Sequence, residues 1–192
     1  MAEANLSRPA RALLVLERQS GRPWFLPGVG VFPLSDYVLP FLPNQIMLAG
    51  LSMTLPRRWV ALAATFAIAT ALGAALVTAL IQRFGMPLVE QVGGAMPDSS
   101  AIVPVLELIQ KHGIPMLILL AMLPWPPRTA VLACAVAGLP PAQVGLAVLA
   151  GRILPTGLYA GLGAKAPDVL RRIGSIDRLM GEVEAGRHRP LS

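Results

Sequence analysis

The chain has 192 residues, a formal net charge of +6, and a composition that is 55% hydrophobic but only 14% charged. A soluble domain carries about 25% charged residues, so water is not expected to be the main solvent here. A single cysteine excludes an internal disulfide framework and a cysteine-based zinc site, and two distant histidines argue against a histidine site, so we expect no metal and no cofactor. The basic residues lack interleaved aromatics, which disfavours nucleic acid and favours anionic lipid as their partner.

Residues 1–24 are predicted to be a cytoplasmic, amphipathic N-terminal segment without a recognisable signal peptide. Residues 25–55 follow as an apolar stretch interrupted by prolines, which remove backbone donors and interrupt helices. The limbs between the interruptions have about 10 to 14 residues, which is too short to cross a bilayer. We therefore interpret 25–55 as a re-entrant helical hairpin that enters and leaves the membrane on the same side.

The clearest membrane-spanning helix is predicted at residues 59–81, which carry no charge over 23 positions. Beyond it, residues 97–112 predict a helix on the outer membrane surface, because apolar positions recur at helical spacing behind Ser99 or Ser100 as an N-cap. A solvated helix that only anchors the protein is the simpler interpretation of 97–112.

The second part of the chain resembles the first. Residues 114–139 form another apolar stretch, interrupted by Leu123-Pro-Trp-Pro-Pro127, and predict a second re-entrant hairpin. Residues 142–163 predict a second spanning helix with Arg152 near its middle. Residues 166–192 are predicted to be a basic cytoplasmic tail.

An internal repeat connects these parts. A shift of 84 positions brings prolines and one glycine into register, in the pairs Pro40/Pro124, Pro43/Pro127, Pro56/Pro140 and Gly73/Gly157. Each half then holds one hairpin and one crossing, so the second half begins on the opposite face of the membrane. The predicted fold class is an all-α polytopic membrane protein, built as an inverted repeat of a proline-broken re-entrant helical hairpin plus a transmembrane helix.

Positive charge predicts the orientation. Arginine and lysine are concentrated before the first span and after the second, whereas the loop 82–113 carries only Arg83 and Lys111. Cytoplasmic segments are enriched in basic residues, so both termini are predicted in the cytoplasm of a multi-pass inner (plasma) membrane protein.

Arg128 and Arg152 are the candidate binding residues because a charge within a bilayer costs at least about 2.5 kcal/mol. Arg128 directly follows a proline break, where the first turn of a new helix leaves backbone amides unpaired, and this pattern is typical of an anion pocket. A structural role, in which the arginines bond exposed carbonyls, is the alternative for both.

Three polar residues of the first hairpin complete the predicted site. Asp36 is a candidate ion-pair partner for either arginine, as a proton-linked switch or as a purely structural pair. Asn44 and Gln45 follow Pro43 and are predicted to line the cavity as hydrogen-bonding groups. The serines have no neighbouring histidine and the carboxylates are scattered, so no enzymatic activity is predicted.

The motifs of residues 25–165 resemble the DedA-like, VTT-domain (SNARE-associated) superfamily, and most closely its small YqaA-like branch. The resemblance rests on Phe32-Pro-Leu-Ser-Asp36, Leu39-Pro-Phe-Leu-Pro-Asn-Gln45, Pro124-Trp-Pro-Pro-Arg128, Ala137-Gly138 and Gly151-Arg152. It implies two re-entrant hairpins that meet within the membrane and a function in moving lipids between leaflets, which in several members depends on the proton gradient. It also maps family arginines onto Arg128 and Arg152 and an acidic position onto Asp36. The chain departs from many members in carrying Asn44 and Gln45 where they have an acid, and Ala121 and Met122 where they have a further arginine.

The leading hypothesis is an inner-membrane transporter that moves a lipid or lipid-phosphate head group between leaflets. Its expected partners are membrane lipids, with polyprenyl phosphate and phospholipid as the candidates, and a homodimer is an open alternative for so small a body. Proton coupling is also left open. The rival hypotheses are a non-transporting membrane scaffold or assembly factor and a small-anion carrier.

Overall fold

The structure is a computed structural model that describes residues 7–35, 44–85, 99–123, 128–172 and 174–187. All regular secondary structure in these ranges is helical, which confirms the all-α class. The helices are α1 (Arg8–Arg18), α2 (Phe25–Ser35), α3 (Asn44–Thr54), α4 (Trp59–Phe84), α5 (Ser99–His112), α6 (Ile114–Ala121), α7 (Arg128–Val136), α8 (Pro141–Lys165), α9 (Pro167–Arg171) and α10 (Gly174–Arg187). A short 3₁₀ turn, Pro56–Arg58, precedes α4.

The two long helices occupy the predicted spans and extend slightly beyond them. α4 has 26 residues and α8 has 25, and both are rich in alanine, which favours helix. At about 1.5 Å per residue, each is longer than a hydrocarbon core of roughly 30 Å. The segments Pro56–Phe84 and Pro141–Lys165 are therefore long and apolar enough to cross a membrane.

The four limbs of the predicted hairpins are short helices. α2 and α3 have 11 residues each, α6 has 8 and α7 has 9. α2 contains Pro33 and ends at Ser35. The helix tolerates this proline because a proline in the last turn removes only one of its hydrogen bonds. The residues that join the limbs, 36–43 and 124–127, lie outside the described residues.

Contacts divide the described residues into two compact units. The first draws its residues from Met1–Val29, Leu42–Thr65 and Thr156–Ser192, and the second from Gly30–Phe41 and Phe66–Pro155. The boundaries fall inside α2, α4 and α8, so each of these helices contributes residues to both units.

In the first unit, α3 packs against the two ends of the chain. α1 contacts α10 and α3, and α10 also contacts α3 and α9. The buried core here comprises Ala49, Leu170, Ile176 and Met180, with Tyr159 and Leu162 of α8 packed against it.

The second unit is built around α7. Every residue of α7 from Ala130 to Ala135 is buried, and α5 packs along this helix and against α6. The same core takes in Ala74, Val77 and Ile81 of α4 and Val144, Ala147 and Val148 of α8. A side-chain hydrogen bond near the end of α4 also joins this unit: Gln82 Nε2 donates to the carbonyl oxygen of Leu139 at 2.8 Å.

The two chain ends, predicted as an independent amphipathic segment and an independent basic tail, fold together. Ser7 donates to Glu182 Oε2 twice, from its backbone N–H at 2.9 Å and from its hydroxyl at 2.5 Å. Leu13 of α1 and Val183 of α10 are fully buried. The apolar faces of these helices are thus buried against protein.

The predicted outer-surface helix is also partly covered. α5 begins at Ser99 and ends at His112, close to the predicted bounds 97–112. Its Ile109 is buried in the core of the second unit, whereas Val103 is 55% exposed. One face of α5 therefore belongs to the protein core.

Candidate functional site

The break between α6 and α7 leaves backbone carbonyls without helical donors. A helical carbonyl accepts from the N–H four residues later. Four positions after Met122 and Leu123 the sequence has Pro126 and Pro127, which have no N–H. The carbonyls of Leu119 and Leu120 are satisfied by a tightened last turn, because the Met122 N–H donates to the Leu119 oxygen and the Leu123 N–H to the Leu120 oxygen, both at 3.2 Å. The end of α6 thus needs donors from another element.

Arg152 of α8 supplies one such donor. Its side chain is 6% exposed, and its Nη1 lies 3.5 Å from the carbonyl oxygen of Leu123, a long hydrogen bond. The carbonyls at a helix C-terminus carry partial negative charge, which a guanidinium complements. Arg152 therefore stabilises the end of α6 at the proline break.

Gly151 allows this contact because it brings α8 close to α6. A Cβ at Gly151 would lie 2.5 Å from the carbonyl oxygen of Ile118 and 2.6 Å from the Cβ of Ala121. Real Cβ atoms essentially never approach this closely, so only glycine fits at 151 without movement of α6. The backbone next to Arg152 is therefore in close contact with the last turn of α6.

Arg128 lies on the other side of the same break, as the first residue of α7. Its side chain is partly exposed, in contrast to that of Arg152. The first N–H groups of a helix have no intrahelical acceptor and carry partial positive charge. A guanidinium at this position is suited to bind a phosphate or carboxylate together with the amides of α7.

The remaining predicted site residues fall elsewhere or lie outside the described residues. Asn44 begins α3 and belongs, with Gln45, to the first unit, whereas Arg128 and Arg152 belong to the second. The Oδ1 atom of Asn44 is buried without a hydrogen-bond partner among the described residues. Asp36 lies outside the described residues. The structure therefore places Arg152 at the end of α6 and Arg128 at the start of α7, before and after the proline break in the chain, and places Asn44 and Gln45 at the start of α3.

Two components of the site are not evident from the sequence. The Leu123 carbonyl becomes an acceptor only through contact with a residue 29 positions away. Gly151 is one glycine among 18, so its close approach to Ile118 has no signature of its own. The available signal was the adjacent pair Gly151-Arg152, in which a small residue precedes a charge within an apolar helix.

The described residues offer no arrangement for metal chemistry. Across 7–35, 44–85, 99–123, 128–172 and 174–187, no three His, Cys, Asp or Glu side chains come together in a way that could hold a metal ion. Arginine and the free amides of a helix N-terminus are groups that bind anions.

Comparison of the chain with protein-family models, with curated proteins and with solved structures finds no match in any of the three. The resemblance to the DedA-like superfamily thus stays a prediction from the motifs, and the functional argument rests on the site itself.

Proposed function

We propose that this chain is a multi-pass membrane protein of the inner (plasma) membrane type, in which α4 and α8 cross the bilayer. Both helices carry large apolar side chains that are at least half exposed, which is costly in water over so long a surface. On α4 these side chains recur every four or eight residues, at Val60, Ile68, Leu72 and Leu76. On α8 they are Leu146, Ile153, Leu154 and Leu158. The cost of exposing these apolar side chains does not arise in lipid.

The paired chain ends support a topology with both termini on one side. Ser7 and Glu182 are hydrogen-bonded, so the chain between them crosses any membrane an even number of times. Two spanning helices with two re-entrant hairpins meet this condition. The start of α4 and the end of α8 also lie together, with Lys165 Nζ 5.3 Å from the ring centroid of Trp59. Basic residues are concentrated at this end, which we assign to the cytoplasm.

The positions of the helices support the inverted repeat. α3 begins at Asn44 and α7 at Arg128, and 128 minus 44 gives the repeat distance of 84. In the first unit, Ala49 of α3 shares a core with residues of α8; in the second, Ala133 of α7 shares a core with residues of both α4 and α8. The two alanines are again 84 positions apart, because 133 minus 49 is 84. We take this correspondence of core positions as support for two copies of one motif.

The function that we propose is passage of a lipid-phosphate head group across the membrane, without enzymatic conversion. One observation carries the proposal: Arg128 and the buried Arg152 occupy the two sides of a single proline break, where short helix ends expose backbone polar groups. An arginine beside a helix N-terminus matches the charge and geometry of a phosphate. The acyl chains would stay in lipid, along the exposed apolar faces of the spanning helices. Proton coupling through Asp36 remains part of the hypothesis from the sequence.

The test is a lipid-translocation assay in phosphatidylcholine vesicles that contain fluorescent phosphatidylglycerol, with bleaching of the outer leaflet as the readout. Loss of a charge-assisted hydrogen bond corresponds to about tenfold or more in rate, so Arg128→Gln is expected to slow translocation by about that factor. Arg83→Gln is the matched control, because Arg83 is exposed at the end of α4. Wild-type rates in correctly inserted Arg128→Gln protein would contradict the proposal.

The two rival functions give different results in the same experiment. A small-anion carrier would show transport or thermal stabilisation by inorganic phosphate, with no translocation of the lipid. A scaffold would show neither, and substitution of Arg128 or Arg152 would change only the amount of folded protein in the membrane.

A further inference from the structure

We propose that the two arginines have different tasks, and that Arg152 is a positioning residue that fixes the end of α6 without contacting the transported head group. This inference rests on the proposed lipid-phosphate function, within which it assigns the contact to Arg128. The observations that carry it are the partner of Arg152, its burial, and the close approach of its helix to α6.

One partner of Arg152 is a backbone carbonyl whose usual helical donor would come from a proline, which has no N–H. The residue four positions after Leu123 is Pro127, and the Nη1 atom of Arg152 lies 3.5 Å from the Leu123 oxygen. A carbonyl without a donor is costly within the hydrocarbon of a bilayer, because lipid cannot replace the missing hydrogen bond. The guanidinium of Arg152 therefore stabilises the C-terminal end of α6.

Burial also separates the two arginines. Arg152 is 6% exposed, so little of its surface can meet a ligand, whereas Arg128 is partly exposed. Their helix ends differ as well. Arg152 lies against the C-terminal end of α6, whose partial negative charge repels an anion, and Arg128 lies at the N-terminal end of α7, whose partial positive charge attracts one.

Gly151 fixes the position from which Arg152 reaches the break. Because a Cβ at 151 would lie 2.5 Å from the Ile118 oxygen, α8 and α6 are in backbone contact one residue before Arg152. The guanidinium therefore reaches the end of α6 from a rigid base. In this arrangement Arg152 fixes the end of α6, from which the chain leads through the break to Arg128.

The first experiment separates binding from turnover in the translocation assay, with the concentration of fluorescent phosphatidylglycerol varied. Arg128→Gln is expected to raise the half-saturating lipid concentration by about tenfold. Arg152→Gln is expected to lower the maximal rate by about tenfold with the half-saturating concentration unchanged, and Arg152→Lys to restore most of that rate, because a lysine can donate to a single carbonyl. A raised half-saturating concentration in Arg152→Gln that lysine does not correct would overturn the positioning role.

The second experiment does not depend on transport. Cys134 is the chain's single cysteine and is buried, so Met122→Cys in a Cys134→Ala background places one reactive thiol on the last turn of α6, where Met122 is 39% exposed. Adding Arg152→Gln is expected to change the rate of maleimide labelling in vesicles several-fold, whereas Arg152→Lys and Arg128→Gln leave it at the background value. Equal labelling rates in Arg152→Gln and its background would refute the inference.

The two proposals can therefore fail separately. If wild-type protein moves no lipid but the labelling rates change as expected, the lipid-phosphate function is wrong and the positioning role stands. If lipid moves and neither the kinetic split nor the labelling change is found, the positioning role is wrong and the proposed function stands.

Discussion

Gly151 and Ile118 are in such close contact that a single methyl group at position 151 would fall 2.5 Å from the Ile118 carbonyl oxygen. The partner atom is backbone, which cannot rotate away as a side chain can. This contact holds α8 against α6, and the position of Arg152 depends on it.

We expect Gly151→Ala to lower the free energy of unfolding by about 1–3 kcal/mol, because overpacking against backbone forces the helices apart. Gly157→Ala is the matched control in the same helix, since a Cβ built there would meet no described atom within 4 Å apart from its chain neighbours and its own helix backbone. Alanine is the better helix former, so Gly157→Ala is expected to be neutral or to stabilise by up to about 1 kcal/mol. Thermal unfolding in mild detergent measures both, and equal midpoints for the two variants would contradict the prediction.

A second close contact is expected to behave in the same way in the first unit. A Cβ at Gly163 would lie 2.8 Å from the Ala49 oxygen and 3.0 Å from the Cβ of Ser52, whereas one at Gly161 would meet the Trp59 ring only at 3.6 Å. Gly163→Ala should therefore destabilise α3 against α8 by about 1–3 kcal/mol, and Gly161→Ala should not. Hydrogen exchange of α3 amides reports the difference. Unchanged protection in Gly163→Ala would show that α8 can shift without cost.

Ser52 provides a substitution that is expected to stabilise. Its side chain is fully buried, and its hydroxyl has no hydrogen-bond partner among the described residues. A buried hydroxyl without a partner costs about 1–3 kcal/mol, so Ser52→Ala is expected to raise the unfolding free energy by about 1 kcal/mol. Thr78→Val is the contrasting substitution, because it removes a hydroxyl that is satisfied. The Thr78 hydroxyl is equally buried and donates to the Ala74 carbonyl oxygen at 2.8 Å. A lower melting temperature for Ser52→Ala would show that its hydroxyl is in fact satisfied.

The contact between the chain ends is expected to weaken in acid. The Ser7 hydroxyl, and then its N–H, hold the pKa of Glu182 below its ordinary value of 4.5. A lowered folded-state pKa means that the stabilisation is complete above about pH 4.5 and is lost as the pH falls through the folded pKa. Docking of α1 on α10 should therefore loosen below about pH 4.5.

Glu182→Gln tests this pH dependence, because glutamine keeps an acceptor oxygen but does not titrate. Proteolysis at the N-terminal segment, measured from pH 7 to pH 3, should rise in acid for wild type and be nearly flat for Glu182→Gln. Asp177→Asn on the exposed side of the same helix is the control and should follow wild type. A Glu182→Gln profile that follows wild type would assign the acid effect to another carboxylate.

The long helices and the hairpin limbs could be predicted because their determinants are local. An uncharged run of 23 residues permits α4, and the proline break before Arg128 determines where α7 begins. The prediction that Arg128 opens a helix beside a proline break is confirmed for the same reason. These features depend on the chemistry of consecutive residues.

Other features depend on which helix meets which, and local patterns do not encode that choice. An amphipathic helix such as α1 fits a bilayer surface and the apolar face of α10 equally well, and only the folded chain selects between them. The same holds for the carbonyl of Leu123, which the proline break leaves without a donor but which finds Arg152 only through tertiary contact. The alternative of a structural arginine, open at both positions from the sequence, is the one that we propose for Arg152.

The hydrogen bonds between Ser7 and Glu182 join residues 175 positions apart, so α1 leaves the ribosome long before α10 exists. Until synthesis ends, the face of α1 that α10 will cover stays exposed, with α3 as its earlier partner. Docking of α1 on α10 is therefore a late event in biogenesis. In the topology that we propose, it occurs only when every intervening segment has been inserted in the orientation that returns α10 to the side of α1. In that topology, a chain that misses one crossing would present two uncovered amphipathic helices on opposite sides of the membrane, as targets for quality-control proteases.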